Sequence, residues 1–481
     1  MATVKIEQFH GIAPRIHPSL LGDGMAVIAA NLRLKNGKLV PLRQPKLVDG
    51  ISILLENGMT EIADARSMHA WKKRDGSVEF VLFPGMTWMA EGNLADDERT
   101  RVVMSGDTGV SFTDENGKVW TDTPVIYMRN ATTGVKIVHP FLKKPLPAPH
   151  ATRTSETEMN DNKRYTYFFW TWVDEYGYES PVSAPSKIYD EGTSQWVDGD
   201  MEYMDGDSIA LAALGTANWP TGAVALRVYK VVTGTEEGRI QFIKEVSASV
   251  VRYGELGISI RVKDEDAGEV LTEIENPPPD LRCVLDVPGA YYCGFAPSKP
   301  KTVCFSEIDL LYSWPISYQY DIKDNIVALA VTSNTVFALT DGWPYVISGT
   351  APGSMTVSKL AGPAACVSPR GVCVYRNAVY FVSNSGLFMI GNSADAGTVC
   401  QNITDKSFTK EQWAALNPSS CVMCQFDGAL HLFFTKNDGT HAGLIVDLTE
   451  DANAITTHDE VAKCACTDNK TDKMYYVREG V

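Results

Sequence analysis

Five Asn-Gly or Asp-Gly pairs constrain this chain most: Asn36-Gly37, Asp75-Gly76, Asn116-Gly117, Asp427-Gly428 and Asp438-Gly439, each set between alternating apolar residues. Such dipeptides reach the positive φ angles that a two-residue hairpin turn requires, so the flanking strands fold back on one another. A single short stretch reads as a helix, Thr409 to Leu416, with Thr409 as its N-cap and Pro418 behind it. The expected class is all-β.

Strand groups recur in the C-terminal half. They begin near Cys283, Val327, Val372 and Cys421, at separations of 44, 45 and 49 residues. A period of about 40–50 residues with up to four strands is that of a propeller blade. A further group runs from Ser67 to Glu91, and strands near Val461–Cys466 and Lys473–Val477 are placed to close a ring with N-terminal strands. The spacing predicts a β-propeller of roughly five to six blades.

Two proline stretches, Lys143–Pro149 and Asn276–Pro279, cannot join sheet ladders, because proline has no amide hydrogen to donate. They bracket most of the acid. Of a net charge of −16, residues 1–150 carry +2, residues 151–275 carry −12 and residues 276–481 carry −6. The expected organisation is an N-terminal arm and first part of the propeller in 1–150, an inserted acidic β-sandwich in 151–275, and the remaining blades in 276–481. In the insert, Tyr165–Trp172 alternates as a strand, Glu179-Ser-Pro-Val-Ser-Ala-Pro185 follows as an edge or turn, and Ala225–Val232 is a further strand. This order resembles a fibronectin type III sandwich, an interaction module. The acid excess argues against a surface that grips phosphates, while leaving open a passage through which DNA slides without sticking.

All ten cysteines lie between Cys283 and Cys466, which reads as mostly buried free thiols in a protein made in a reducing cytoplasm. The sequons at Asn130, Asn402 and Asn469 then carry no meaning. Lys5 and Glu7 stand where a signal peptide is apolar, and no apolar run reaches the roughly 18–20 residues of a membrane span.

Candidate chemistry is sparse. Cys421, Cys424, Cys464 and Cys466 supply the four thiols of a structural zinc, but they sit in strand patterns without Gly-rich knuckles and read as core. Asp198, Asp200, Asp205, Asp207, Asp264 and Asp266 offer oxygens to calcium without the spacing of an EF-hand, and read as solvated turns. Thr113-x-Glu115-x-Gly117-x-x-Trp120 is a degenerate form of the Asp-box hairpin of sialidase-like propellers, with Glu115 in the Asp position. His10 and His17 lie in a proline- and glycine-bearing arm. There is no Gly-x-Ser-x-Gly elbow, Walker loop, His-Glu-x-x-His or Gly-x-Gly-x-x-Gly. No catalytic, cofactor-binding or metal-ligating residue is expected, and the chain is not expected to be an enzyme.

A family resemblance rests on longer stretches. Phe9-His-Gly-Ile-Ala-Pro-Arg15 and Asn31–Leu42 open the chain. Asp324–Leu329, Thr340–Gly349, Ala365–Gly371, Ser385–Ile390, Phe408–Trp413 and Leu416–Ser420 follow in the C-terminal half. Together these are similar to tail proteins of short-tailed bacteriophages, the podoviruses. The resemblance implies a β-propeller subunit of the tail nozzle or hub, a virion component made in the host cytoplasm. It implies six copies in a ring around the DNA channel, contacting the adaptor above and fibres or spikes beside it, without sequence-specific DNA binding or a membrane span. It supplies no catalytic residues. The chain departs from the family in placing Cys421 and Cys424 where small apolar residues are usual, which favours packing over metal. The alternatives are a propeller that binds host-surface carbohydrate, with Trp88, Trp170, Trp172 and Trp196 as stacking platforms, and a polysaccharide-cleaving enzyme.

Overall fold

The computed structural model describes residues 9–35, 38–92, 97–121, 123–146, 148–155, 157–212, 220, 222–232, 239–251, 257–393, 397–449, 454–468 and 470–478. The Asn36-Gly37 turn and Asn469 lie outside the described residues, although the strands either side of that turn, Leu32–Lys35 and Lys38–Pro41, pair with Lys35 opposite Lys38. The chain forms two compact units. One comprises Met1–His139, Pro278–Asp309 and Tyr318–Val481, and the other Pro140–Pro277 with Leu310–Ser317.

The first unit is a β-propeller, and its blades follow in ring order. Blade 1 is Ser67–Lys72, Val78–Phe83 and Ser52–Leu55. Blade 2 is Thr87–Glu91, Val102–Gly106, Val125–Arg129 and Lys136–His139. Blade 3 is Arg282–Val287, Tyr291–Ala296, Lys299–Phe305 and Gln319–Asp321. Blade 4 is Ile326–Thr332, Thr335–Thr340, Tyr345–Ser348 and Thr356–Lys359. Blade 5 is Val372–Tyr375, Ala378–Ser383, Gly386–Ser393 and Gly397–Asn402. Blade 6 is Val422–Phe426, Ala429–Thr435, His441–Asp447 and Ile455–His458. Blade 7 is the pair Cys464–Asp468 and Lys473–Val477. Four of the five four-stranded blades, from Arg282 to His458, match the repeat seen in the sequence, and the ring has seven blades where the spacing predicted five to six. The three-stranded blade 1 and two-stranded blade 7 come from opposite ends of the chain and complete the ring, a junction that a spacing rule does not count.

The first-named strand of each blade is innermost, and each packs beside the next around the ring. These strands run the same way. The Met423 N–H donates to the carbonyl of Arg370 at 3.0 Å, near two strand starts. The Ser333 hydroxyl donates to Asn377 at 2.8 Å, just past two strand ends. Apolar seams fill the gaps between blades. Phe305, Leu329 and Ile347 pack between blades 3 and 4, and Leu339, Phe381 and Ile390 between blades 4 and 5. Burying such side chains contributes roughly 1.5–3 kcal/mol each, which is what holds blades that share no backbone ladder.

The local signals explain the hairpins. Asp427 at φ 46° and Gly428 at φ 76° both sit in the left-handed region, which the two-residue turn of blade 6 requires. The helix covers Lys410–Ala414. Thr409 accepts from the Gln412 amide while the Gln412 side chain accepts from the Thr409 amide, a capping box. The N-terminal arm clasps blade 6: Asn31 N–H donates to Thr457 O at 2.7 Å, and Thr457 N–H to Ala29 O at 2.9 Å. Phe9, Ile12, Ala29 and Leu34 of the arm are buried in the core of that blade.

The second unit is a β-sandwich. A three-stranded sheet, Phe168–Asp174, Ala223–Val232 and Arg239–Ser247, faces a five-stranded one that includes His150–Arg153, Asp207–Ala212 and Ile258–Val262. Phe168, Trp170, Trp172, Leu211, Leu226 and Val228 fill the space between them. The proline-bearing segment after the aromatic strand is an edge. Ser180, Ser183 and Ser186 donate backbone N–H groups to the carbonyls of Trp172, Trp170 and Phe168. Their hydroxyls accept the N–H groups of the same three residues. A period of three opposite a period of two lets prolines occupy the positions that need no donor. The unit's limits differ from those read off the charge pattern. Leu142, in the first proline stretch, packs in the sandwich core, and its carbonyl accepts from Asn276 Nδ2 at 2.9 Å. Trp314 N–H likewise donates to Glu275 O at 2.7 Å, which draws residues 310–317 into this unit.

The propeller channel as candidate functional site

Because seven inner strands lie side by side, their residues enclose a cavity of about 540 Å³ to which every blade contributes. Ser67, Met68 and His69 come from blade 1, Thr87 and Trp88 from blade 2, and Leu285 and Asp286 from blade 3. Ala328–Val331 come from blade 4, Val372–Val374 from blade 5, Val422 and Met423 from blade 6, and Cys464–Cys466 from blade 7. Most of this wall is apolar or thiol.

Charge is confined to the ends. Arg66 precedes the inner strand of blade 1 and Arg370 that of blade 5, so the shared strand direction brings both to one mouth. Arg370 Nη1 donates to the carbonyl of Lys463 at 3.1 Å, just ahead of blade 7. Burial, and then the like charge of Arg66, lowers the pKa of Arg370. Asp286 stands near the end of its strand, towards the other mouth, and its pKa is raised by burial and by the neighbouring Glu91. The channel is therefore basic at one mouth, while at the other Asp286 stands near Glu91, which is ion-paired with Lys72 at 2.9 Å.

Between them lies one hydroxyl–imidazole network. Ser67 Oγ donates to Gly85 O at 2.5 Å and lies 2.7 Å from Thr87 Oγ1, which is 2.8 Å from His69 Nε2. Burial lowers the pKa of His69 to about 4, so the imidazole is neutral at pH 7. The Ser67 proton is spent on a carbonyl, and this network ties blade 1 to blade 2.

The residues singled out by sequence scatter. Cys421 is buried in the core of blades 5 and 6, while Cys424 Sγ lies 3.1 Å from Thr467 Oγ1. Cys464 packs between blades 7 and 1, and Cys466 lines the channel. Burial pushes the thiol of Cys424 up to about 11 and that of Cys464 up to about 12, as for thiols packed against apolar neighbours. Asp207 is ion-paired with Arg153 at 2.6 Å, Asp205 with Arg164 at 3.5 Å and Asp198 with Lys187 at 3.5 Å. Among the described residues no group of three His, Cys, Asp or Glu side chains is gathered as metal ligands.

Trp170 and Trp172 are 0% and 3% exposed and belong to the sandwich core, so neither presents a face to a sugar. Trp88 lines the channel. Trp196 stacks on His150 with ring centres 4.1 Å apart, and Tyr189 meets its edge at 5.4 Å. The Asp-box role goes to a different residue than expected. Asp114, not Glu115, accepts the N–H groups of Asn116 and Lys118, each at 2.9 Å, and the Trp120 indole N–H at 3.2 Å. A carboxylate at 115 is one residue too far along the turn to reach these donors.

Sequence reading missed Arg66, Arg370 and Lys463. A signal existed: each stands within two residues of the start of a blade's inner strand, a position that an alignment of the strand groups against one another exposes.

No protein-family model and no curated protein matches the chain. Solved structures align with it loosely. Hsv2 of Kluyveromyces marxianus is 8% identical, covering 56% of this chain and 69% of that one with a TM-score of 0.27. AztD of Citrobacter koseri is 11% identical, covering 66% of this chain and 77% of that one with a TM-score of 0.28. The chain is an all-β protein with a propeller fold, described by its own blade order and closed ring.

Proposed function

We propose that this chain is a structural subunit of a short bacteriophage tail, of the nozzle or hub type. Six copies form a ring around the DNA channel, bound to an adaptor above and to fibres or spikes beside it. The subunit helps retain the genome and passes it at ejection, and it has no enzymatic role. Exposed acids of the sandwich, among them Glu158, Asp200 and Glu202, supply the like charge that keeps passing DNA from sticking.

One observation carries this reading: several of the stretches that resemble tail proteins fix turns within blades and joints between them. Asn325 donates from its backbone and side chain to Asp341 at 3.0 and 2.8 Å, and Asp324 accepts from Tyr345 at 2.9 Å. Cys366 N–H donates to Thr340 O at 2.8 Å, linking blade 5 to blade 4, and Ser368 Oγ donates to Cys421 O at 2.8 Å, linking it to blade 6. Trp413 Nε1 donates to Ser383 O at 2.8 Å, and Asn417 Nδ2 to Thr435 O at 2.9 Å. These bonds stiffen turns within blades and joints between blades 4, 5 and 6, as a load-carrying subunit needs, and gather no cluster of reactive groups.

The test is gold-labelled antibody against this chain on purified particles, viewed by negative-stain electron microscopy. Label at the far end of the tail is expected. Protein present in infected cells but absent from intact particles overturns the proposal. The carbohydrate-binding alternative draws on the His150–Trp196–Tyr189 stack, and glycan-array binding lost in Trp196→Ala would bring it forward.

A further inference from the structure

We propose that the basic mouth of the propeller channel binds an organic oxyanion, a carboxylate or phosphate ester, with its charged group between Arg66 and Arg370 and its body inside the channel.

The first ground is an imbalance of charge. Arg33, Arg101, Arg129, Arg153 and Arg282 are each partly buried and each ion-paired with a carboxylate. Arg370 is as enclosed, yet among the described residues no carboxylate lies within ion-pair distance of it or of Arg66. A confined guanidinium with a second cation beside it is costly unless an anion completes the set.

The second ground is pre-organisation. Arg370 spends one N–H on the carbonyl of Lys463, whose own N–H is fixed on Val477 O at 2.9 Å. The guanidinium is thereby held at the mouth with further donors left for a ligand, and two parallel N–H groups of an arginine match an oxyanion. Arg66 is anchored through its backbone N–H on Phe83 O at 2.7 Å.

The third ground is the space behind the charges. A cavity of about 540 Å³ falls in the range that encloses small organic molecules, roughly 300–1,000 Å³. Met68, Val372, Met423 and Cys466 offer it soft apolar walls. Arg66 and Arg370 are the cations among the residues lining the cavity, so the ligand enters with its charge held at the arginines. An inorganic ion alone satisfies the first ground but leaves the apolar wall unused. An organic anion uses both, and is expected to bind more tightly.

The experiment is calorimetric titration of the full chain with phenyl phosphate, benzoate and inorganic phosphate at constant ionic strength set by chloride. Saturable binding is expected, with phenyl phosphate at least tenfold tighter than inorganic phosphate. Comparison with benzoate distinguishes a phosphate site from a carboxylate site. Arg370→Met is expected to weaken binding at least tenfold and Arg370→Lys less, because lysine keeps the charge and loses the fork. Arg66 is exposed, so Arg66→Met keeps the test available if Arg370→Met fails to fold. Absence of saturable binding at millimolar ligand, equal binding by wild type and Arg66→Met, or the same heat from added chloride overturns the proposal.

Discussion

Lys463 donates from its ammonium group to the carbonyl of Ala63 at 2.8 Å, across 400 residues of sequence. This bond and the ring contact between Phe80 and Tyr475, centres 4.6 Å apart, seat blade 7 on blade 1 and close the propeller. Phe80 is 3% exposed. Its replacement by alanine removes a buried ring at the one place where the ring depends on the two chain ends meeting. Phe80→Ala is expected to lower the unfolding free energy by about 3–5 kcal/mol in urea denaturation. A loss under about 1 kcal/mol would show that closure does not limit stability.

Acid is expected to weaken blade 6. Burial holds His431 at about 3, with His458 and Arg33 adding like charge, and burial holds His458 at about 4. Both folded pKa values lie below the unfolded value near 6.5, so the unfolded chain binds more protons between pH 6.5 and pH 4. Stability is full above pH 6.5 and falls as pH drops through this window, by up to about 1.4 kcal/mol per pH unit for each histidine. Melting temperatures across pH 7 to 4 test this. His431→Leu is expected to flatten the slope, and an unchanged slope would assign the acid sensitivity elsewhere.

Asp114 and Glu115 are adjacent acids with opposite expectations. Asp114 accepts three hydrogen bonds within its hairpin, so Asp114→Ala is expected to cost about 1–3 kcal/mol. Glu115→Ala is expected to change stability by no more than about 0.5 kcal/mol, as for an ordinary surface site. Thermal unfolding of the two variants side by side decides it, and the reverse order would return the turn to Glu115.

In the sandwich, Glu179 is 7% exposed and accepts from Tyr229, from Thr171, and from Arg227 at 2.8 Å. Removing it strands three donors and leaves the Arg227 charge with Glu245 alone. Glu179→Ala is expected to destabilise this unit by about 3–5 kcal/mol. Calorimetry of the full chain should show a lowered sandwich transition. An unshifted thermogram would mean the network contributes nothing net.

Much of the fold was legible in the chain itself. The hairpin dipeptides at Asp75, Asn116, Asp427 and Asp438 fall in turns. Only Asp427-Gly428 forms a two-residue turn, and the other three lie in longer loops with positive φ at the glycine alone. The strand groups near Cys283, Val327, Val372 and Cys421 are four successive blades. The Thr409 cap opens the helix. Each is a local signal, carried by residues within a few positions of one another, and survives without knowledge of the rest. Less legible were the details that depend on reach. Whether residue 114 or 115 meets the donors of a turn depends on side-chain length against backbone path. Whether Leu142 belongs to the propeller or the sandwich depends on which core lies nearest.

The sequence by itself determined the all-β class, the blade period, the acidic insert and the burial of most of the thiols, because turn chemistry, alternation and composition act within short windows. Only the tertiary structure decided that two incomplete sheets from opposite ends complete the ring. It alone placed Arg66, Arg370 and Lys463 at one mouth of a single channel. Arg66 and Arg370 are 304 residues apart and Arg370 and Lys463 are 93 apart, and nothing local couples them. They meet because neighbouring inner strands run parallel around a closed ring, which brings every strand start to the same end.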